Sequence, residues 1–304
     1  MRDISIDLIR VTEAAAIHAS EWVGSGNALE ADKAATNAIR NRLNNIDFSA
    51  LIAIGEGKKD KSYGLFSGEV VGIKKEEKPT YDIAIDPIEG TNPTITSGPE
   101  AISTLAVGGC DSLYKTEHYY TNKLAYGYEI KKKIKLSLDD PIEVTIDKTS
   151  MATGKKYSQI MVCILDRPRH GSIIDKLRSI GVRIKLIKDC DVSGAVATCL
   201  PESGVDILYG IGGAPEAIIS AAGIKCLGGD FQCCIVDKET WSPLDSVLRL
   251  EDLVRGSCIF IATGITDGSI LHGVRWTDRG PITHSVFMRS ESGTIRWVEV
   301  YHGN

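Results

Sequence analysis

Apolar residues recur at Ile4, Leu8, Val11, Ala15 and Ala19, a stripe one helix face wide that stops at Gly24. A second helix is predicted over about 29–44. The pattern then changes. "LIAIGEG" at 51–57, "YDIAIDP" from 81 and "AISTLAVGG" from 101 are short apolar runs of strand length, broken by glycine or proline. From 119 to 150 the chain is more polar, and the alternation in "IKKKIKLSL" predicts further strand. Beyond 157 strands and helices alternate: "YSQIMVCIL" (strand), "PRHGSIIDKLRSIG" (helix), "VRIKLI" (strand), "SGAVATCL" (short helix), "VDILYG" (strand) and "APEAIISAAGI" (helix). The end returns to strand with "CIFIATG" and a hairpin of "ITHSVFMRS" and "GTIRWVEVY" around "ESG". Continuous β-branched strands between helices predict an α/β fold with a covered sheet. A domain boundary is expected near 155, giving an N-terminal α/β domain (1–155) and a C-terminal one (156–304), with the last strands assignable to either.

Composition narrows the function classes. The 304 residues are 43% hydrophobic and 25% charged, ordinary values for a globular chain. A net charge of -5 gives no reason to expect nucleic acid or a membrane surface as partner. The basic runs "KKEEK" and "KKKIK" have no aromatic platform beside them and are expected to face solvent. The start, "MRDISIDLIR", lacks a signal-peptide core, and no run reaches the roughly 18 apolar residues of a membrane span. A soluble, cytoplasmic protein is expected. The 8 cysteines contain no C-x-x-C pair and several lie in apolar runs, so they are expected as reduced, mostly buried residues.

The chemistry gathers at strand ends. Acids stand there as Glu56, Asp86, Glu89, Asp189 and Asp191, with Glu216 beyond a later strand. Any one of them is explained by an Asp-Pro or Glu-Gly turn. As a set they repel one another unless a cation lies between them, and oxygen ligands without thiolate or imidazole favour Mg2+ or Mn2+. Gly212 and Gly213 precede a helix start, where free N–H groups suit a phosphate or simply make a turn. Pro215 stands where a dinucleotide fingerprint needs its third glycine. Arg167 and Arg169 flank Pro168 and either clamp a phosphate or begin a solvated helix. "KDCDVSG" has the D-x-D of another phosphatase class, but Lys188 interrupts its strand and "DPIEGT" is left unexplained. The six histidines lack metal-ligand spacing and are expected as surface or satisfied core residues, with His170 the one that could line a site. There is no G-x-S-x-G elbow and no lysine-bearing phosphate loop.

"DPIEGT" (Asp86 to Thr91) resembles the signature of the lithium-sensitive, metal-dependent phosphatases. With "IGEG", "RPRH", "LYGIGGAPE", "ATGITDG" and "THSVFMRS", nearly the whole chain is similar to the class II (GlpX-type) fructose-1,6-bisphosphatases. The resemblance implies a layered α-β-α-β-α sugar-phosphatase fold. It also implies hydrolysis of fructose 1,6-bisphosphate with Mn2+ or Mg2+, in gluconeogenesis or, as in some bacteria, the Calvin cycle. By motif it assigns Asp32 and Glu56 to one metal site, and Asp86, Glu89 and Glu216 to another. It assigns Thr91 and Asp60 to activation of the attacking water. Substrate contacts fall to Glu89, Gly90, Thr91, Tyr120, Arg167, Pro168, Arg169, Asp189, Cys190, Asp191 and Gly213. A homo-oligomer, dimer or tetramer, is expected. Other readings are a sedoheptulose-1,7-bisphosphatase, a dual-specificity enzyme, and a weakly active sugar-phosphate-binding homologue.

Three positions depart from that pattern. Ala28 replaces the usual loop lysine, Cys190 stands where glycine is usual, and Lys58 stands where an acid is common. The segment from Leu227 to Leu253 is also shorter than its family counterpart.

Overall fold

A computed structural model describes residues 4–55 and 64–303. The chain begins with helices α1 (Ser5–Ser20) and α2 (Ala28–Leu43), then strands β1 (Ala50–Ile54), β2 (Val70–Val71) and β3 (Tyr81–Glu89). Next come α3 (Thr91–Thr96), β4 (Ile102–Gly109), β5 (Tyr120–Tyr126), α4 (Tyr128–Lys131) and α5 (Ile142–Thr153). The alternating part follows as β6 (Met161–Leu165), α6 (Gly171–Ser179), β7 (Arg183–Ile187), α7 (Asp191–Ala197), β8 (Ile207–Gly213), α8 (Ala214–Cys226) and β9 (Asp230–Ile235). The chain ends with β10 (Leu248–Arg249), α9 (Leu250–Leu253), β11 (Cys258–Gly264), β12 (Arg275–Thr277), β13 (Gly280–Arg289) and β14 (Thr294–Tyr301).

This is a mixed α/β protein with two mixed sheets and interleaved helices. Its two compact units are Met1–Lys115 with Val254–Asn304, and Thr116–Leu253. In the first unit the strand order is β12-β13-β11-β4-β3-β1-β2, with β14 paired to β13. β1 and β3 run parallel, and β4 and β11 are antiparallel to their neighbours. The stripe of α1 (Leu8, Val11, Ala15, Ala19) and that of α2 (Ala31, Ala35, Ile39, Leu43) close over Ile52, Ile83, Ile85, Leu105, Ile259 and Ile261. Each fully buried leucine or isoleucine contributes about 1.5–3 kcal/mol of transfer free energy. That packing holds β3 still at the point where it carries its acids.

In the second unit the order is β10-β9-β5-β8-β6-β7. β6 is parallel to β7 and β8, while β5 is antiparallel to β8 and β9. One expectation fails here. The alternating stretch after β5 is not a strand: residues 128–131 are helical, residues 132–141 are irregular and residues 142–153 are helical. The alternation is real, since Leu136 and Leu138 are both buried. Their backbone partner is a side chain, not a strand. Gln232 Oε1 accepts from Leu138 N at 3.0 Å, and its Nε2 donates to Leu136 O at 2.8 Å. The Tyr126 hydroxyl accepts from Leu136 N at 3.2 Å. A loop whose polar backbone is satisfied in this way can bury alternate side chains as a strand does.

Candidate active site

In the first unit β3 runs directly into α3. The ladder to β4 shifts register between Asp86 and Glu89. Asp86 Oδ1 accepts from Ile88 N at 3.1 Å, closing a turn around Pro87. Gly90, at φ 101°, turns the chain into α3 through the left-handed region that glycine enters without strain. The result presents Glu89, Gly90 and Thr91 in succession, with Glu89 only 5% exposed. Thr91 Oγ1 donates to Asp32 Oδ1 at 3.1 Å, which joins the end of β3 to the first turns of α2. The N-terminus of α2 is capped by Asn27, whose Oδ1 accepts from Glu30 N at 3.3 Å, and Ala28 is its first helical residue. The loop before it is tied to α3, with Gly24 N donating to Thr94 O and Gly26 N to Ile95 O. Glu56 and Asp60 lie outside the described residues, as does Lys58.

In the second unit the candidates converge on the end of β8. Tyr120, opening β5, is the ladder partner of Gly213. A Cβ on Gly213 would stand 1.9 Å from Glu216 Oε2, and one on Gly212 would stand 1.9 Å from Asp191 Oδ2. The two glycines therefore make room for two carboxylates. Asp191 Oδ2 accepts from Lys123 Nζ at 2.7 Å, a pair with side chains 1% and 7% exposed. Burial pushes the Glu216 carboxyl up; Lys123 opposes this, and Asp191 and Asp189 add to it. Cys190 sits at φ 70°, which accounts for a glycine being the ordinary choice at that position.

The two arginines are held differently. Arg167 Nη2 pairs with Asp189 Oδ1 at 2.5 Å. Arg169 pairs with no carboxylate among the described residues: its Nε and Nη2 donate to Ile211 O at 3.1 and 2.7 Å. Pro168 opens the single turn that carries Arg169 and His170. His170 is not a site-lining group. It is 3% exposed, and its Nε2 accepts from Ile211 N at 2.8 Å. Its Nδ1 therefore bears the proton and donates to Leu165 O at 2.7 Å. The imidazole ties the end of β6 to β8.

Sequence reasoning did not single out Lys123 or Trp241. Lys123 carried a usable signal, because strand alternation places it on the face of Thr121, which is buried. The Trp241 ring packs edge-on against Tyr120 with centroids 5.2 Å apart.

The acids fit a cation by their chemistry. Among the described residues Glu216 Oε2 is buried without a hydrogen-bond partner, an orphaned carboxylate oxygen of the kind a cation would satisfy. Asp86 and Glu89 lie at the end of β3 in the first unit, and Glu216 lies in the first turn of α8 in the second. Among the described residues no helix is long and apolar enough to cross a membrane.

Comparison with known proteins bears on this arrangement. The family profile described as bacterial fructose-1,6-bisphosphatase, glpX-encoded, matches residues 2–302. The chain is 38% identical to the fructose-1,6-bisphosphatase class 2 of Haemophilus influenzae, covering 99% of this chain and 96% of that protein. It is 37% identical to the fructose-1,6-bisphosphatase 1 class 2 of Escherichia coli (strain K12), covering 99% and 95%.

Proposed function

The chain belongs to the bacterial, glpX-encoded, class II fructose-1,6-bisphosphatase family, and we propose from this that it hydrolyses fructose 1,6-bisphosphate to fructose 6-phosphate and phosphate. The reaction is a step of gluconeogenesis. The observation in the molecule that supports it best is the Thr91 hydroxyl, donated to the Asp32 carboxylate at the end of a strand already carrying Asp86 and Glu89.

The proposed division of labour is as follows. By the family resemblance, Asp86, Glu89 and Glu216 would hold one cation, Mn2+ or Mg2+, and Asp32 with Glu56 would hold the other. When bound, the cations supply positive charge to the phosphate oxygens and acidity to the attacking water. Thr91 Oγ1 orients that water and takes its proton as the threonine's own proton passes to a carboxylate. Asp60 is proposed as that base by resemblance, and Asp32 is the carboxylate that Thr91 meets here. The water oxygen forms a bond to phosphorus as the bond from phosphorus to the sugar's O1 breaks, and O1 takes up a proton from solvent. Gly90 and Gly213 let the backbone approach the substrate closely. Tyr120, Arg167, Pro168, Arg169, Asp189, Cys190 and Asp191 line the sugar phosphate. Arg169 carries the undischarged positive charge, because Asp189 already balances Arg167.

A cytoplasmic homo-oligomer is part of the proposal. Phosphate release from fructose 1,6-bisphosphate, measured with Mn2+ or Mg2+ and then in excess chelator, tests it. Metal-dependent release is the expected result, and its absence would overturn the reading.

A further inference from the structure

Two rings stand over one guanidinium. Arg169 Cζ lies 5.5 Å from the centroid of Tyr120 and 5.0 Å from that of Trp241. The rings themselves meet at an interplanar angle of 78°. We infer that Trp241 is a positioning residue that, with Tyr120, fixes the Arg169 guanidinium for a phosphate of the substrate. The inference rests on the role given to Arg169 under the proposed function, and it goes beyond it by assigning a part to a residue outside the motifs named above.

Three observations carry it. First, the manner of holding matters. A carboxylate would both neutralise an arginine and occupy its N–H groups, as Asp189 does for Arg167. Aromatic faces attract the cation through their quadrupole and consume no N–H. Of the five N–H donors of an arginine, Arg169 directs, among the described residues, its Nε and Nη2 edge alone to a protein acceptor, the carbonyl of Ile211. Its Nη1 edge is left for a ligand anion. Burial works against the Arg169 charge, and Arg167 adds to that, while Tyr120 and Asp191 support the cation.

Second, the backbone of Trp241 is constrained. It has φ 58°, in the left-handed region that bulky residues enter only when their surroundings impose it. A dense turn imposes it. Asp237 Oδ1 accepts from Glu239 N at 3.0 Å, Thr240 N at 2.8 Å and Thr240 Oγ1 at 2.9 Å. Trp241 N donates to Asp237 O, and Asp237 N to Ser242 O. Strain of this kind is held where a side chain must point one way.

Third, the placement is at the proposed substrate contacts. Tyr120 is paired across the ladder with Gly213, and Arg169 is anchored on Ile211 of the same strand, β8.

The test is steady-state kinetics on fructose 1,6-bisphosphate with Trp241→Leu, Trp241→Phe, Arg169→Ala and the double variant Trp241→Leu/Arg169→Ala, with thermal melts as a folding control. Leucine keeps apolar volume and removes the ring. Trp241→Leu is expected to raise KM about tenfold with kcat within about twofold, and Trp241→Phe to recover most of the loss. Arg169→Ala is expected to raise KM further, and the double variant to be no worse than Arg169→Ala alone. If Arg169→Ala raises KM and Trp241→Leu does not, the positioning role is refuted while the reading of Arg169 stands. If Arg169→Ala leaves KM unchanged, that reading fails and the role of Trp241 fails with it. Additive effects in the double variant would also overturn the inference, because Trp241 would then act by another route.

Discussion

Lys123→Met removes a buried cation from between two acids. The ammonium is 2.7 Å from Asp191 Oδ2, and neither side chain is more than 7% exposed. Lys123 is also the charge that opposes the burial of Glu216. Methionine has nearly the same length, so the packing loss is small. What remains is an uncompensated carboxylate in a dry place, and removing one partner of such a pair costs about 3–5 kcal/mol. At about 2–4 °C per kcal/mol for a domain of this size, the melting temperature falls by roughly 10 °C. The assay is thermal unfolding followed by circular dichroism, in chelator so that no cation replaces the ammonium. Lys123→Met/Asp191→Asn, which removes both charges, should recover at least half of the loss. A loss below about 1 kcal/mol, or no recovery in the double variant, would refute the claim that this pair is electrostatically closed.

Thr91→Ala should lower kcat by about 10²–10⁴-fold and leave fructose 6-phosphate affinity, measured by calorimetry, within a few fold; an unchanged kcat would remove Thr91 from the chemistry. Burial holds the His170 imidazole below its ordinary value of 6.5; the hydrogen bond to Leu165 O opposes this, Arg169 and Arg167 add to it, and Asp191 opposes it weakly. Its contribution to stability is therefore complete above about pH 6.5 and is lost as the pH falls through the folded-state value, because only the unfolded chain takes up the proton. Urea denaturation at pH 7.5 and pH 5 should show that loss in the wild type and a smaller loss in His170→Gln; parallel losses would mean that another group carries it.

How much of this was legible depended on where the partners lay. The stripes of α1 and α2 were readable because each helix presents one periodic face to one sheet. The "DPIEGT" turn was readable too, since Pro87 and Gly90 announce it, and the Asp86 bond to Ile88 N is local. The stretch after β5 was misread because its alternation is genuine while its partner, the Gln232 side chain, is 94 residues from Leu138. Lys123 was passed over for the same reason, its partner Asp191 being 68 residues away. His170 was left between a core and a site-lining role because the sequence does not show that the backbone takes both ring nitrogens. Trp241 sits in a turn without periodicity, and its importance arises only from the two side chains it meets.

The central claim is that this chain turns over a sugar bisphosphate with the help of divalent cations at its strand-end acids. The most direct measurement is phosphate release from fructose 1,6-bisphosphate by the purified protein. It is to be followed with Mn2+ or Mg2+, in excess chelator, and with Glu216→Gln, which keeps the shape of that carboxylate and removes its charge. The account predicts turnover that chelator abolishes, that added metal restores, and that Glu216→Gln reduces at least tenfold at limiting metal. Turnover indifferent to chelator, or no turnover with either metal, would contradict it.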